Sequence, residues 1–139
     1  MVKLVTLNML FGPESWEERR DLMVEGLLVE EPDCILMQEV WQEAGEWLAE
    51  RLLMSHNYWL PYARPSNRPG LQDGIAILSC HPFLRQQMLI LSQGQGWVAQ
   101  WAQIEPAGQP MVVCNGHYYW IITGLLARIR SEICRFNEW

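Results

Sequence analysis

Positive charge is scarce in this chain: 10 Lys and Arg stand against 16 Asp and Glu in 139 residues, for a formal net charge of −6. That balance argues against a broad, non-specific grip on duplex DNA, which needs a surface of phosphate-neutralising cations, and leaves room only for a local basic cleft. Zinc-type spacing is missing as well, because Cys34, Cys80, Cys114 and Cys134 contain no Cys-x-x-Cys pair. The first three fall in apolar strand patterns and are expected to be buried thiols of a reducing compartment. No run approaches the roughly 20 apolar residues of a membrane span, and Met1-Val2-Lys3 leads into a strand pattern rather than a signal peptide. The expectation is a cytoplasmic chain without a membrane span. Fixed-period repeats are absent too, and the 8 Trp are spread over separate elements as core and rim packing.

What is present is a core. Half of the residues are hydrophobic, enough for one domain over residues 1–139. Its centre is Pro32-Asp33-Cys34-Ile35-Leu36-Met37-Gln38-Glu39-Val40. Residues 34–37 are apolar on both alternating faces, the pattern of a strand covered on two sides. Glu39 follows that run, and an unpaired charge there costs several kcal/mol or more, on the order of the desolvation of an ion. Ligands in open α/β sheets gather at the carboxyl ends of strands, so Glu39 is either a metal ligand or an ordinary strand-end carboxylate turned to water.

Residues 2–9 form a first strand, apolar on both faces and therefore expected inside the sheet, with Asn8 near its carboxyl end. Ser15 and Glu18 have capping-box spacing, and Trp16, Met23 and Leu27 with Leu22, Gly26 and Val29 make a helical stripe that Pro32 closes. Strand, helix and strand predict a right-handed βαβ unit with parallel strands, which points Asn8 and Glu39 into one crevice. A second helix over 42–54 presents Ala44, Trp47, Leu48, Arg51 and Leu52 on one face, and His56 after it is expected to meet its terminal carbonyls. Residues 61–72 carry three Pro and two Arg and read as a connector with a mildly basic rim. Strands follow at 74–79, 88–91, 97–104 and 111–117, joined by spacers short enough for antiparallel neighbours. Thr123 then caps a last helix with the stripe Leu126, Ile129, Ile133 and Phe136.

On the last strand Met111, Val113, Asn115 and His117 share one face, opposite Val112, Cys114 and Gly116. His117 at that strand's end is either a hydrogen-bonded structural residue or a catalytic one. A cysteine hydrolase built on Cys114 and His117 is disfavoured, since their spacing sets them on opposite faces.

Four blocks stand in order along the chain: Val5-Thr6-Leu7-Asn8, the strand ending Gln38-Glu39-Val40, Asp73-Gly74-Ile75-Ala76-Ile77-Leu78-Ser79-Cys80-His81-Pro82, and Val113-Cys114-Asn115-Gly116-His117. Together they resemble the endonuclease/exonuclease/phosphatase superfamily, which includes deoxyribonuclease I, the apurinic endonucleases and the sphingomyelinases. The sequence departs from the family at Cys80, where Arg is usual, and at Gly116, where Thr is usual. The resemblance implies an α/β (α+β) fold: a mixed β-sheet with helices on one face, half of a four-layer αββα sandwich. It implies hydrolysis of a phosphoester substrate with Mg2+ or Mn2+. Glu39 and Asn8 are then the metal residues, and Asn8 and His117 the catalytic ones.

The family's Gly-Asp-x-Asn block, its later Asp and its Ser-Asp-His block have no counterpart here, Asp73 being the only Asp after Asp33. The chain is therefore expected to supply part of an active site. A sheet face opposite the helices would expose large apolar side chains at about 1.5–3 kcal/mol each. A homodimer or a complementing C-terminal half is expected to cover it. Two readings stand: a divalent-metal phosphoester hydrolase to which this chain contributes part of the site, and a catalytically incomplete module that keeps the fold for association.

Overall fold

The structure is a computed structural model that describes residues 1–10, 12–92 and 96–117. The Thr123 helix, Trp120 and Cys134 lie outside the described residues.

The central strand is where its apolar pattern puts it. β1 (Leu4–Asn8) runs parallel to β2 (Cys34–Trp41), with Leu4 opposite Cys34 and Asn8 opposite Gln38. Between them lies α1 (Trp16–Glu30), so the βαβ unit forms as expected. β2 continues antiparallel onto β4 (Asp73–Ser79), and β4 onto β3 (His56–Pro61), giving the order β1-β2-β4-β3. Among the described strands β1 stands at the edge, with Leu4 exposed, rather than inside the sheet as its apolar pattern suggests. α1 and α2 (Gln42–Arg51) cover one face of this sheet, where Trp16, Leu27, Ala44 and Leu48 pack on Ile35, Met37, Ala76 and Leu78.

Two local details differ from the sequence pattern. Ser15 stands at the N-cap of α1 but makes no side-chain capping bond, because residues 13–15 wind into a 3-10 turn ahead of the helix. Of the α1 stripe only Trp16 and Leu27 are buried, whereas Leu22 and Val29 point to solvent. His56 does not cap α2; it opens β3, and its ring meets Phe83 edge-on at 5.8 Å. β3 itself was hidden between a helix end and a Pro-rich loop. Gly74 explains its pairing, since a Cβ there would fall 2.0 Å from the Leu60 carbonyl oxygen.

The principal correction concerns the remaining strands. β5 (Arg85–Ser92), β6 (Trp97–Ile104) and β7 (Met111–Gly116) do not extend the first sheet; they form a second, antiparallel one. It stacks on the face the helices leave open, with Ala102, Ile104 and Val113 against Cys34 and Ile77. The described residues thus form one helix layer and two sheets. The apolar face for which a homodimer or a C-terminal half was expected is covered by the chain's own β5–β7. Short spacers misled because five residues, Cys80–Leu84, suffice to carry the chain from one layer to the other.

Only one of the three described cysteines is buried. Cys34 lies between the sheets, and burial pushes its thiol up to about 12. Cys80 and Cys114 are exposed, Cys114 because it alternates with the inward Val113 and Asn115. Among the described residues no helix is long and apolar enough to cross a membrane.

The two sheets are joined by a polar peg. Asn115 is buried, and its Nδ2 donates to the carbonyls of Met37 (2.8 Å) and Ala76 (2.9 Å). Its Oδ1 accepts from Gln38 Nε2 at 2.8 Å. Removing it strands buried polar groups, so Asn115→Ala should lower unfolding stability by about 2–4 kcal/mol in urea titration. A loss near zero would show that the peg is dispensable. At the opposite end of β2, Asp33 accepts from the Lys3 backbone N–H (2.7 Å) and lies 3.3 Å from His81 Nε2. The Lys3 amide first, and His81 further, hold its carboxyl below the usual range. A depressed carboxylate stabilises the fold above its unfolded value of about 3.9 and stops doing so as pH falls through the lower folded value. Asp33→Ala should therefore lower Tm at pH 7, with the gap to the parent closing in melts run at progressively more acid pH.

Candidate functional site

The site begins with an irregularity in β2. The register against β4 shifts between Gln38 and Val40, and Glu39 takes the left-handed conformation at φ 55°. Alternation shows the consequence: Ile35 and Met37 face the helices, Gln38 faces Asn115 in the second sheet, and Val40 is back on the helix side. Glu39 is the extra residue of a β-bulge, and a bulge re-aims the side chain it inserts.

Three residues singled out in the sequence converge there. Asn8 Nδ2 donates to Glu39 Oε1 at 3.1 Å. His117 Nε2 lies 3.6 Å from the same oxygen, although 78 residues separate the two in sequence. Each arrives from a different strand end: Asn8 from β1, Glu39 from β2, His117 just past β7. Asn8 Oδ1 accepts from the Leu10 N–H at 2.8 Å, which fixes the amide's orientation. The chain after Asn8 is itself held by Arg19, whose guanidinium donates to the carbonyls of Met9 (2.9 Å) and Gly12 (3.1 Å).

The sequence reading passed over the other wall. Tyr62 is buried, its hydroxyl sits 2.9 Å from His117 Nδ1, and the Glu39 N–H approaches the same hydroxyl at 3.4 Å. Burial raises the Tyr62 pKa, so its hydroxyl stays protonated. Arg64 pairs with the buried Asp73 at 2.7 Å. A pocket of about 230 Å3 lies between these walls, lined by Glu39, Arg64, Asn67, Asp73, Trp97 and His117. Residues 61–72 are therefore more than a connector, since they supply Arg64 and Asn67 to the lining. One signal for Asp73 was legible: like Glu39 it is a carboxylate abutting a fully apolar strand, here Ile75 to Leu78.

The donor set suits a hard cation in a limited way. Mg2+ takes oxygen ligands, keeps several waters, and is often held by one or two carboxylates. Glu39 with the Asn8 amide beside it fits that description as an anchor. Among the described residues no three His, Cys, Asp or Glu side chains gather as a metal cluster.

A model of the Endonuclease/Exonuclease/phosphatase family matches residues 5–124. Among solved structures, an endonuclease/exonuclease/phosphatase family protein from Leptotrichia buccalis C-1013-b superposes with a TM-score of 0.78 at 18% identity, over 97% of this chain and 63% of that one. TDP2 from D. rerio, complexed with a single-strand DNA product, gives 0.73 at 12% identity, over 99% and 55%. The endonuclease/exonuclease/phosphatase from Bacteroides vulgatus gives 0.70 at 17% identity, over 99% and 59%. The chain thus spans less than two thirds of the length of each. No curated protein sequence matches it. With the family model covering most of its length and both sheets in the matching fold, the chain belongs to the endonuclease/exonuclease/phosphatase family.

Proposed function

We propose that this chain contributes Asn8, Glu39 and His117 to the active site of a phosphodiester hydrolase dependent on Mg2+ or Mn2+. The observation that carries the proposal is the approach of Asn8 Nδ2 and His117 Nε2 to one oxygen of Glu39, beside an open pocket. Glu39 would hold the cation, with Asn8 orienting the carboxylate. When bound, such an ion supplies Lewis-acid polarisation of the phosphorus centre.

His117 has a directional part that its partners define. The Tyr62 oxygen accepts from the Glu39 N–H, and with its own O–H donated to His117 Nδ1, neutral His117 would carry its proton on Nε2, the nitrogen on the Glu39 side. From there it can donate to a phosphoryl oxygen as negative charge builds in the transition state. The tandem of Tyr62, His117 and Glu39 thus aims one N–H without needing a charged imidazole.

The association reading rested on a bare sheet face that β5–β7 cover. DNA as substrate has support only from the D. rerio neighbour and its single-strand DNA product. The chemistry of the pocket fits the phosphodiester group itself.

Glu39→Ala should reduce Mg2+-dependent hydrolysis of bis(p-nitrophenyl) phosphate by about 10²-fold or more, the scale seen when one group that stabilises the transition state is lost. Circular dichroism should be unchanged; equal activity in parent and variant would reject the assignment. Tyr62→Phe should remove the donor to Nδ1, and imidazole 15N shifts should report His117 moving from the pure Nε2–H tautomer toward a mixture. An unaltered tautomer would show that something other than Tyr62 sets it.

A further inference from the structure

We propose that Arg64 is the pocket's anion-binding residue, taking a non-bridging phosphoryl oxygen from the side opposite Glu39, and that Asp73 is the positioning residue that holds it there. The proposal rests on the phosphoester reading of the site and adds to it the group that recognises the phosphate.

Arg64 is held on three sides. Its guanidinium lies 5.0 Å from the centre of the Tyr62 ring and 5.4 Å from that of Trp97. Its Nη2 donates to Asp73 Oδ2 at 2.7 Å. Backbone contact makes this packing possible: the Ala63 N–H donates to the Gly96 carbonyl at 2.8 Å, and Gly96 sits at φ 68°. A Cβ on Gly96 would lie 2.6 Å from both the Ala63 carbonyl and the Arg64 Cβ. The strand bearing Trp97 can thus lie against the loop bearing Arg64.

A side chain so confined loses little further freedom on binding, and a guanidinium has five N–H donors. Those of Arg64 reach two acceptors among the described residues, Asp73 Oδ2 and, at the 3.5 Å limit, the Pro65 carbonyl. The side chain remains 27% exposed while lining the pocket. Among the described residues it is the one permanently charged cation in that lining. A structural ion pair alone would account for the Asp73 contact, but the pocket side of the fork still has donors to give. Asp73 is 3% exposed, so it holds the guanidinium from a buried position at the start of β4 rather than from a mobile surface side chain.

The test titrates inorganic phosphate into the protein by calorimetry, with and without Mg2+, for the parent and Arg64→Gln. The expected result is binding by the parent that weakens at least tenfold in the variant. Because Arg64→Gln leaves Asp73 buried and unpaired, the double variant Arg64→Gln, Asp73→Asn is measured alongside, and the same loss is expected. Equal phosphate affinity in the parent and either folded variant overturns the proposal, as does a parent that binds no phosphate under both conditions. Hydrolysis of bis(p-nitrophenyl) phosphate by the same samples separates the two claims. An active parent whose KM and kcat survive Arg64→Gln overturns the role of Arg64 and leaves the hydrolase standing. An inactive parent that binds phosphate through Arg64 does the reverse.

Discussion

The hydrogen bonds of Asn115 decide where the functional groups meet. Apolar contact between the sheets is non-directional, and Cys34, Ile77, Ala102, Ile104 and Val113 would tolerate sliding of one layer over the other. An amide that must find the Met37 carbonyl, the Ala76 carbonyl and the Gln38 side chain at once does not tolerate it. The peg also sits next to what it positions. Gln38 precedes Glu39, and Asn115 stands two residues before His117, which follows the end of β7. Fixing one pair of neighbours therefore fixes the other, and a fold-level register becomes a 3.6 Å approach between a ring nitrogen and a carboxylate oxygen.

The bulge at Glu39 completes that arrangement locally. A non-glycine residue in the left-handed region costs about 1–3 kcal/mol and persists only where its surroundings enforce it. Here the surroundings are explicit: the neighbours of Glu39 belong to opposite faces, Gln38 bonding Asn115 of the second sheet and Val40 fully buried under the helices. Without an inserted residue, the alternation after Gln38 would turn Val40 toward the second sheet and Glu39 into the helix-side core. The hydrophobic demand of Val40 thus forces the carboxylate out of the ladder, where Asn8 and His117 reach it. Strain at this position and the meeting of its carboxylate with Asn8 and His117 have one origin.

That origin also explains what could be read from the chain alone. The unbroken apolar run of residues 34–37, the βαβ unit and the strand-end placing of Asn8, Glu39 and His117 follow from side-chain period and connection length, both local properties. The division into two sheets does not, because Cys80–Leu84 would serve a hairpin as well as a change of layer. Nor does the edge position of β1, since its apolar residues pack under α1 on one side only, as with Val5 and Leu7. Tyr62, Arg64 and Trp97 were invisible for a different reason. Their relation is made by a loop of three prolines crossing the start of a strand more than 30 residues later, and no periodicity encodes such a meeting.

The site therefore has two kinds of wall. Strand ends, pinned by the inter-sheet peg, supply Asn8, Glu39 and His117. The segment after β3 supplies Tyr62, Arg64 and Asn67. Catalytic groups on rigid elements keep their geometry, whereas loops can change length and side chains at little cost to the core. Here the loop is tied at two points, by Arg64 to Asp73 and by Arg68 to Glu14 ahead of α1. The exposed Arg68 pair adds little stability by itself. The buried Asp73 pair is different, because its carboxylate begins the strand that lies beside β2. Asp73 pairs in register with Trp41, two residues past Glu39, so the residue that anchors Arg64 and the bulge that turns Glu39 out of the ladder share one strand pair.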